Sequence, residues 1–218
     1  MKIPVVRKIL EVNEQMAEDL QSLFQEKNIL TLNMMSSPGA GKTTILEHTL
    51  NLLKYEMNIA VFEGDIQTTN DAERISNTGA QTLQINTDGA CHLDSSMVLE
   101  ATNHINMESI DVLFIENVGN LVCPAEFNLG EEYRIALLSL PEGDDKPEKY
   151  PKMFMQADVL LVNKIDLLPY LDFDIERVKK SAKSINHDLT IFPVSARTGE
   201  GVEEWCNWLR KATAARKK

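Results

Sequence analysis

The run Ser36-Ser37-Pro38-Gly39-Ala40-Gly41-Lys42-Thr43-Thr44 carries the residue types that hold phosphate. Gly39 and Gly41 let the backbone curl, so that successive N–H groups converge on anionic oxygens. An apolar stretch precedes the run and a helical pattern follows it. The helix N-terminus adds partial positive charge. Lys42 is placed to bridge the β- and γ-phosphates, and Thr43 to set its hydroxyl on Mg²⁺. Pro38, Ala40 and Thr44 complete the cradle. The usual pattern opens on glycine where this chain has Ser36.

Asn163-Lys164-Ile165-Asp166 closes another apolar stretch. A carboxylate at Asp166 accepts from guanine N1–H and the 2-amino group. Adenine lacks that donor pair and would leave a desolvated carboxylate unpaired, so GTP is favoured over ATP. Asn163 is expected to tie this loop to the phosphate loop, and the Lys164 stem to cover the base. Ser195-Ala196, after a further strand pattern, supplies a backbone N–H for guanine O6.

Glu116-Asn117-Val118-Gly119 ends a third hydrophobic stretch. An acidic residue there holds Mg²⁺ directly or through water. The Gly119 N–H is placed to touch the γ-phosphate and to be released on hydrolysis. In Glu63-Gly64-Asp65, Asp65 is the candidate for Mg²⁺ or for orienting the attacking water. No glutamine follows Gly119; Asn120 stands there. Intrinsic GTP hydrolysis is therefore expected to be slow, resting on Lys42, Mg²⁺ and Asp65. Nucleotide-dependent dimerisation would complete such a site.

Cys91 and His92 adjoin just before a predicted helix, and Cys123 lies four residues after Gly119. A thiol at a helix N-terminus favours its thiolate. Two sulfurs and an imidazole suit Ni²⁺ or Zn²⁺ and leave a coordination position open. Spacing alone also allows two unligated cysteines and a surface histidine. If the three do meet, Cys123 sits in the segment that moves with the γ-phosphate, which couples metal to nucleotide. Cys206, between Trp205 and Trp208, reads as core; His48, His104 and His187 read as structural or solvent-facing.

These loops need a scaffold. Apolar strand patterns at 29–35, 59–63, 82–85, 112–117, 135–140, 158–163 and 190–194 alternate with helical patterns at 42–55, 71–77, 93–105, 172–185 and 202–211. Such alternation predicts an α/β fold, a mostly parallel sheet with helices on both faces. Ligands then sit beyond the carboxyl ends of the strands, where every motif above falls. Residues 1–28 form a separate helical segment ahead of a nucleotide-binding domain at 29–218. Val12, Met16, Leu20 and Phe24 recur at i, i+4, with Ile9 and Leu23 widening the stripe. That stripe packs on its own domain or docks a partner protein.

The 218 residues suit one large domain, and such a chain needs no disulfide to fold. A net charge of −11 makes nucleic acid and anionic lipid poor partners. Arg216, Lys217 and Lys218 read as a solvated basic end. No stretch is long and apolar enough for a membrane span, and no secretory pattern opens the chain. An odd count of three cysteines fits a reducing cytoplasm.

Six runs together resemble the hydrogenase-maturation nickel-insertion GTPases, the HypB family. They are the phosphate loop, Glu63 to Asp65, Asp71 to Arg74, Cys91 to Asp94, Glu116 to Pro124, and Pro141 to Lys146. The likeness runs from about Thr31 through the last helix. It implies a P-loop NTPase whose domain dimerises with GTP and helps deliver nickel to the large subunit of a [NiFe] hydrogenase. It also implies a metal held by Cys91, His92 and Cys123, and an N-terminal segment that engages a HypA-like zinc-containing chaperone. The Cys-rich and His-rich nickel-storing stretches of some members are not matched. A urease-maturation GTPase would carry Cys-Pro-His, where this chain has Cys123-Pro124-Ala125. A non-catalytic, GTP-dependent metal-binding module is the alternative of another class.

Overall fold

The computed structural model describes residues 5–65 and 70–216. Its elements are α1 (Val5–Glu26), β1 (Leu30–Ser36), α2 (Lys42–Leu53), β2 (Ile59–Asp65), α3 (Asn70–Ser76), β3 (Gln81–Asn86), α4 (Ser95–Thr102) and β4 (Val112–Glu116). They continue with β5 (Tyr133–Ser139), α5 (Lys146–Lys149), α6 (Pro151–Gln156), β6 (Val159–Asn163), α7 (Ile175–Ile185), β7 (Thr190–Pro193) and α8 (Val202–Arg216). The seven strands form one parallel sheet in the order β3-β2-β4-β1-β5-β6-β7. The central strands are buried on both faces, which is why they read as unbroken apolar runs.

One face of the sheet is covered by α2 and α8. Trp205 of α8 is buried there, and its Nε1 donates to Thr49 Oγ1 of α2 at 3.1 Å. The other face carries α1 and α4 over β2 and β4, and α6 and α7 over β5 and β6. Leu20 and Phe24 of α1 pack with Phe62, Leu113 and Ile115. Burying each contributes roughly 1.5–3 kcal/mol. Gly130 permits this docking, since a Cβ there would meet Leu20 Cβ at 2.6 Å. The outer part of the α1 stripe behaves differently: Ile9 and Val12 are more than half exposed.

Several boundaries move. The helix patterned over 93–105 is only α4, because the Asp94 side chain caps it by accepting from Met97 N–H at 3.0 Å. The helix patterned from 172 starts at Ile175 behind its own cap, Asp174. Segments 140–142, 146–149 and 151–156 form helical turns too short for a 3.6-residue period to reveal. Arg216 is not solvated; it pairs with Glu132. Lys217 and Lys218 lie outside the described residues. Among those described, no helix is long and apolar enough to cross a membrane.

Candidate functional site

The phosphate loop joins β1 to α2 at the middle of the sheet. Gly39 and Gly41 take φ +73° and +101°, which side-chain-bearing residues rarely adopt. A Cβ on Gly41 would fall 2.6 Å from Asn163 Nδ2. Lys42 Nζ donates to Ser36 Oγ at 3.0 Å, so the serine in place of glycine holds the lysine. Burial lowers the Lys42 ammonium pKa, opposed chiefly by the Glu116 charge. The loop floors a cavity of about 440 Å³, also lined by Glu63, Asp65, Asp71, Arg74, Glu116 and Gly119. Glu142 reaches the loop too, accepting from Ser37 Oγ while it caps its own turn through Ser139.

Thr43 Oγ1 donates to Glu116 Oε1 at 2.8 Å. The β2–β4 register sets Glu63 opposite Glu116. Among the described residues, Glu116 Oε2 and Glu63 Oε2 are buried with no hydrogen-bond partner. Two orphaned carboxylate oxygens beside a hydroxyl fit a hard divalent cation such as Mg²⁺. Thr43, Asp65 and Glu116 are the residues that the sequence assigns to this role, and Glu63 is not among them. The signal was there: Glu63 and Asp65 are two apart on one strand and share a face. Asp65 stands at the strand end, partly exposed.

Burial, then the Glu116 charge, pushes Glu63 up to about 8; burial pushes Glu116 up to about 7, opposed by Lys42. Both bind protons more tightly folded than unfolded. Their contribution to stability is full below the ordinary carboxylate range and is lost as pH rises toward about 8. Cation-free protein is therefore expected to lose melting temperature between about pH 5 and pH 8. Mg²⁺ should restore most at the alkaline end, and Glu63→Gln should flatten the slope. Thermal melts with and without Mg²⁺ check this; a flat profile in the wild type contradicts it.

At the base end, Asn163 Nδ2 donates to Ala40 O at 2.8 Å and its Oδ1 accepts from Ala196 N–H at 3.0 Å. One buried side chain thus staples the phosphate loop to the Ser-Ala loop. Lys164, at φ +66°, lays its Nζ on Gly39 O at 2.7 Å. Asp166 Oδ1 accepts from Ser195 Oγ at 2.6 Å, which fixes the orientation of the carboxylate.

The chain after Glu116 runs back against the phosphate loop. A Cβ on Gly119 would strike Pro38 Cα at 2.8 Å. Four residues on, Cys123 Sγ lies 2.9 Å from Cys91 Sγ, and Cys91 Sγ lies 3.7 Å from His92 Nδ1. The ligand atoms of Cys91, His92 and Cys123 all fall within 4.8 Å of one another. The His92 ring stacks on Phe127 at 3.9 Å, and burial lowers its pKa, favouring the neutral, ligating form. The thiol environment differs from the expected one. Helix α4 starts only at Ser95, so Cys91 is outside its first turn. Cys123, which opens a short 3₁₀ turn, has its pKa raised by the Cys91 hydrogen bond and by burial. Cys206 is buried core, its thiol pushed up to about 12.

Residues 30–193 match the model described as "CobW/HypB/UreG, nucleotide-binding domain". The hydrogenase maturation factor HypB of Escherichia coli K12 is 48% identical over 207 residues, 95% of this chain and 71% of that protein. The chain belongs to the CobW/HypB/UreG family, in its HypB branch. The hydrogenase/urease maturation factor HypB of Helicobacter hepaticus is 41% identical over 97% of this chain and 88% of its own length. Helicobacter pylori HypB, solved in complex with nickel, superposes with TM-score 0.89 at 39% identity, over 93% of this chain and 95% of that one. Archaeoglobus fulgidus HypB gives 0.87 at 36%, over 93% and 99%.

The nucleotide-binding match begins at β1 and ends at β7, so α1 and α8 lie outside it. Within this HypB-type domain Arg74, Asn117 and Glu142 fall in the quoted runs without a role that their spacing reveals, and Phe127 falls in none. Arg74 binds Asp71, Glu47 and Thr44 Oγ1 at the cavity wall. The Gly143-Asp144-Asp145 loop holds Arg177 of α7 through Asp144 at 3.0 Å.

Proposed function

We propose that this chain is a GTP-hydrolysing metallochaperone that carries nickel during hydrogenase maturation. One observation carries the reading. Two thiols and an imidazole meet within 4.8 Å, Cys123 from the loop that leaves Glu116 and Gly119 and Cys91 with His92 from the loop between β3 and α4. Such soft donors suit Ni²⁺ or Zn²⁺ as cargo and leave room for a client's ligand. The HypB branch membership, and a relative whose structure contains nickel, support Ni²⁺ over Zn²⁺.

In this reading Lys42 and the loop N–H groups bind the β- and γ-phosphates. Thr43, Glu116 and Glu63 would hold Mg²⁺, which would supply positive charge to the phosphate oxygens when bound. Asp65 orients the attacking water and Gly119 senses the γ-phosphate. Water attacks the γ-phosphorus, the bond from that phosphorus to the β–γ bridging oxygen breaks, GDP leaves with that oxygen, and the water's protons leave on the inorganic phosphate. Two copies associate with GTP in the cytoplasm. The N-terminal helix meets a HypA-like zinc-containing nickel chaperone, and the hydrogenase large subunit is the client.

Phosphate release by monomer and by dimer, with and without nickel, tests the reading. Slow release by the dimer is expected; none under any condition leaves a non-catalytic metal-binding assembly module. Guanine choice has its own test. Asp166→Asn removes the acceptor pair for N1–H and the 2-amino group. It should weaken GTP binding about 100-fold and improve xanthosine triphosphate, whose 2-carbonyl accepts from the new amide. Unchanged fluorescence titrations with both nucleotides would remove Asp166 from the base site.

A further inference from the structure

Cys123 reaches the nucleotide through the chain itself. Nothing in the sequence links Cys91 and His92 to the nucleotide, because they arrive on a different loop, between β3 and α4. The structure contains a link. Asn117, buried between Glu116 and Val118, accepts the Leu93 N–H on its Oδ1 at 3.1 Å, and its own neighbour Val118 N–H at 3.0 Å. Leu93 is the residue directly after His92.

The direction of this carboxamide is fixed by an ordered chain behind it. Glu131 is an acceptor taken by Arg134 Nε at 2.6 Å and Leu129 N–H at 2.6 Å. It also receives Asn33 Nδ2 at 3.2 Å, which turns Asn33 Oδ1 toward Asn117. Asn117 must then present Nδ2 to Asn33, at 3.2 Å, and its oxygen to Leu93. Flipping any one amide sets two donors or two acceptors face to face at a buried site. Leu93 is gripped from a second side as well. Its side chain lies on the bare Cα of Gly64, where a Cβ would come within 2.8 Å of Leu93 Cδ1. Gly64 stands between Glu63 and Asp65 on the phosphate cavity.

We infer that Asn117 is the positioning residue that ties the Cys91–His92 half of the metal site to the γ-phosphate-sensing strand end. Both halves of the trio then hang on one segment. Cys123 follows it along the chain, and Cys91 and His92 follow it through a side-chain oxygen. Displacement of the β4 end shifts the two halves by different levers and changes the distances among the three ligands. Nucleotide state is read out as metal affinity. The inference rests on the proposed metallochaperone function and adds the residue through which its two sites communicate.

The test is nickel affinity, by competition with a chromophoric chelator, at saturating GDP and at a saturating GTP analogue. It is run on the full chain and on Asn117→Ala. In the wild type the two affinities should differ by about tenfold. In Asn117→Ala their ratio should fall to within about twofold of one, below the usual range of coupled sites. A residue that merely stabilises the fold would weaken both states alike and leave the ratio unchanged, which overturns the inference alone. A wild-type ratio of one removes the coupling itself, and the inference goes with it. Should the variant not fold, the wild-type Leu93 amide decides by NMR. It is expected to exchange slowly in both states while its chemical shift moves between them. A fast-exchanging amide, or one shift for both nucleotides, overturns the inference.

Discussion

Cys123→Ala should lower nickel affinity by more than about 100-fold while leaving GDP binding within a few-fold of wild type. Loss of groups that merely support metal ligands already costs about 10–100-fold, and here a ligand itself is removed. The separation of effects follows from geometry. Cys123 Sγ faces Cys91 and lies outside the cavity that the phosphate loop floors. The remaining Cys91–His92 pair, 3.7 Å apart, offers two donors in place of three. Isothermal titration with nickel, then with GDP, measures both. Equal nickel affinity in the two proteins would mean that the trio is not the binding site. Cys206→Ala is the matched control, because that thiol is buried between α8 and α2 and should alter stability only.

Lys42→Ala should slow GTP hydrolysis about 10²–10³-fold, the usual cost of removing one preorganised group from a developing charge. Lys42 is the buried ammonium at the floor of the phosphate cavity, and Ser36 Oγ holds it in position at 3.0 Å. Deleting it also leaves Glu116 without the charge that opposes its burial, so the carboxyl pair should stay protonated to higher pH. Mg²⁺ dependence should therefore shift alkaline in the variant. Single-turnover phosphate release across pH 6–9, a window set by the two raised carboxyls, separates the two effects. A variant that hydrolyses at the wild-type rate would show that hydrolysis does not run through this lysine.

The phosphate loop, the Asn163 to Asp166 loop and the Glu116 to Gly119 loop were legible because each is contiguous. Each follows an apolar run of strand length, and a parallel sheet puts all such ends on one edge. The short turns over 140–156 were not legible, since three to six residues hold less than two helical periods. The first helix was legible as amphipathic. That its inner stripe packs on the sheet while Ile9 and Val12 stay exposed depends on where α4 and Gly130 lie, and no period in α1 encodes that.

The sequence by itself determined the class of fold and the nucleotide loops, and it offered Cys91, His92 and Cys123 as candidate metal donors. Local periodicity and local motifs depend only on neighbouring residues. The tertiary structure alone decided that Cys91 meets Cys123, that Glu63 faces Glu116, and that Asn117 holds Leu93. These pairs lie on different strands and loops, and their distances follow from strand order and register. Register is set by the packing of the whole sheet, which no short window of residues contains.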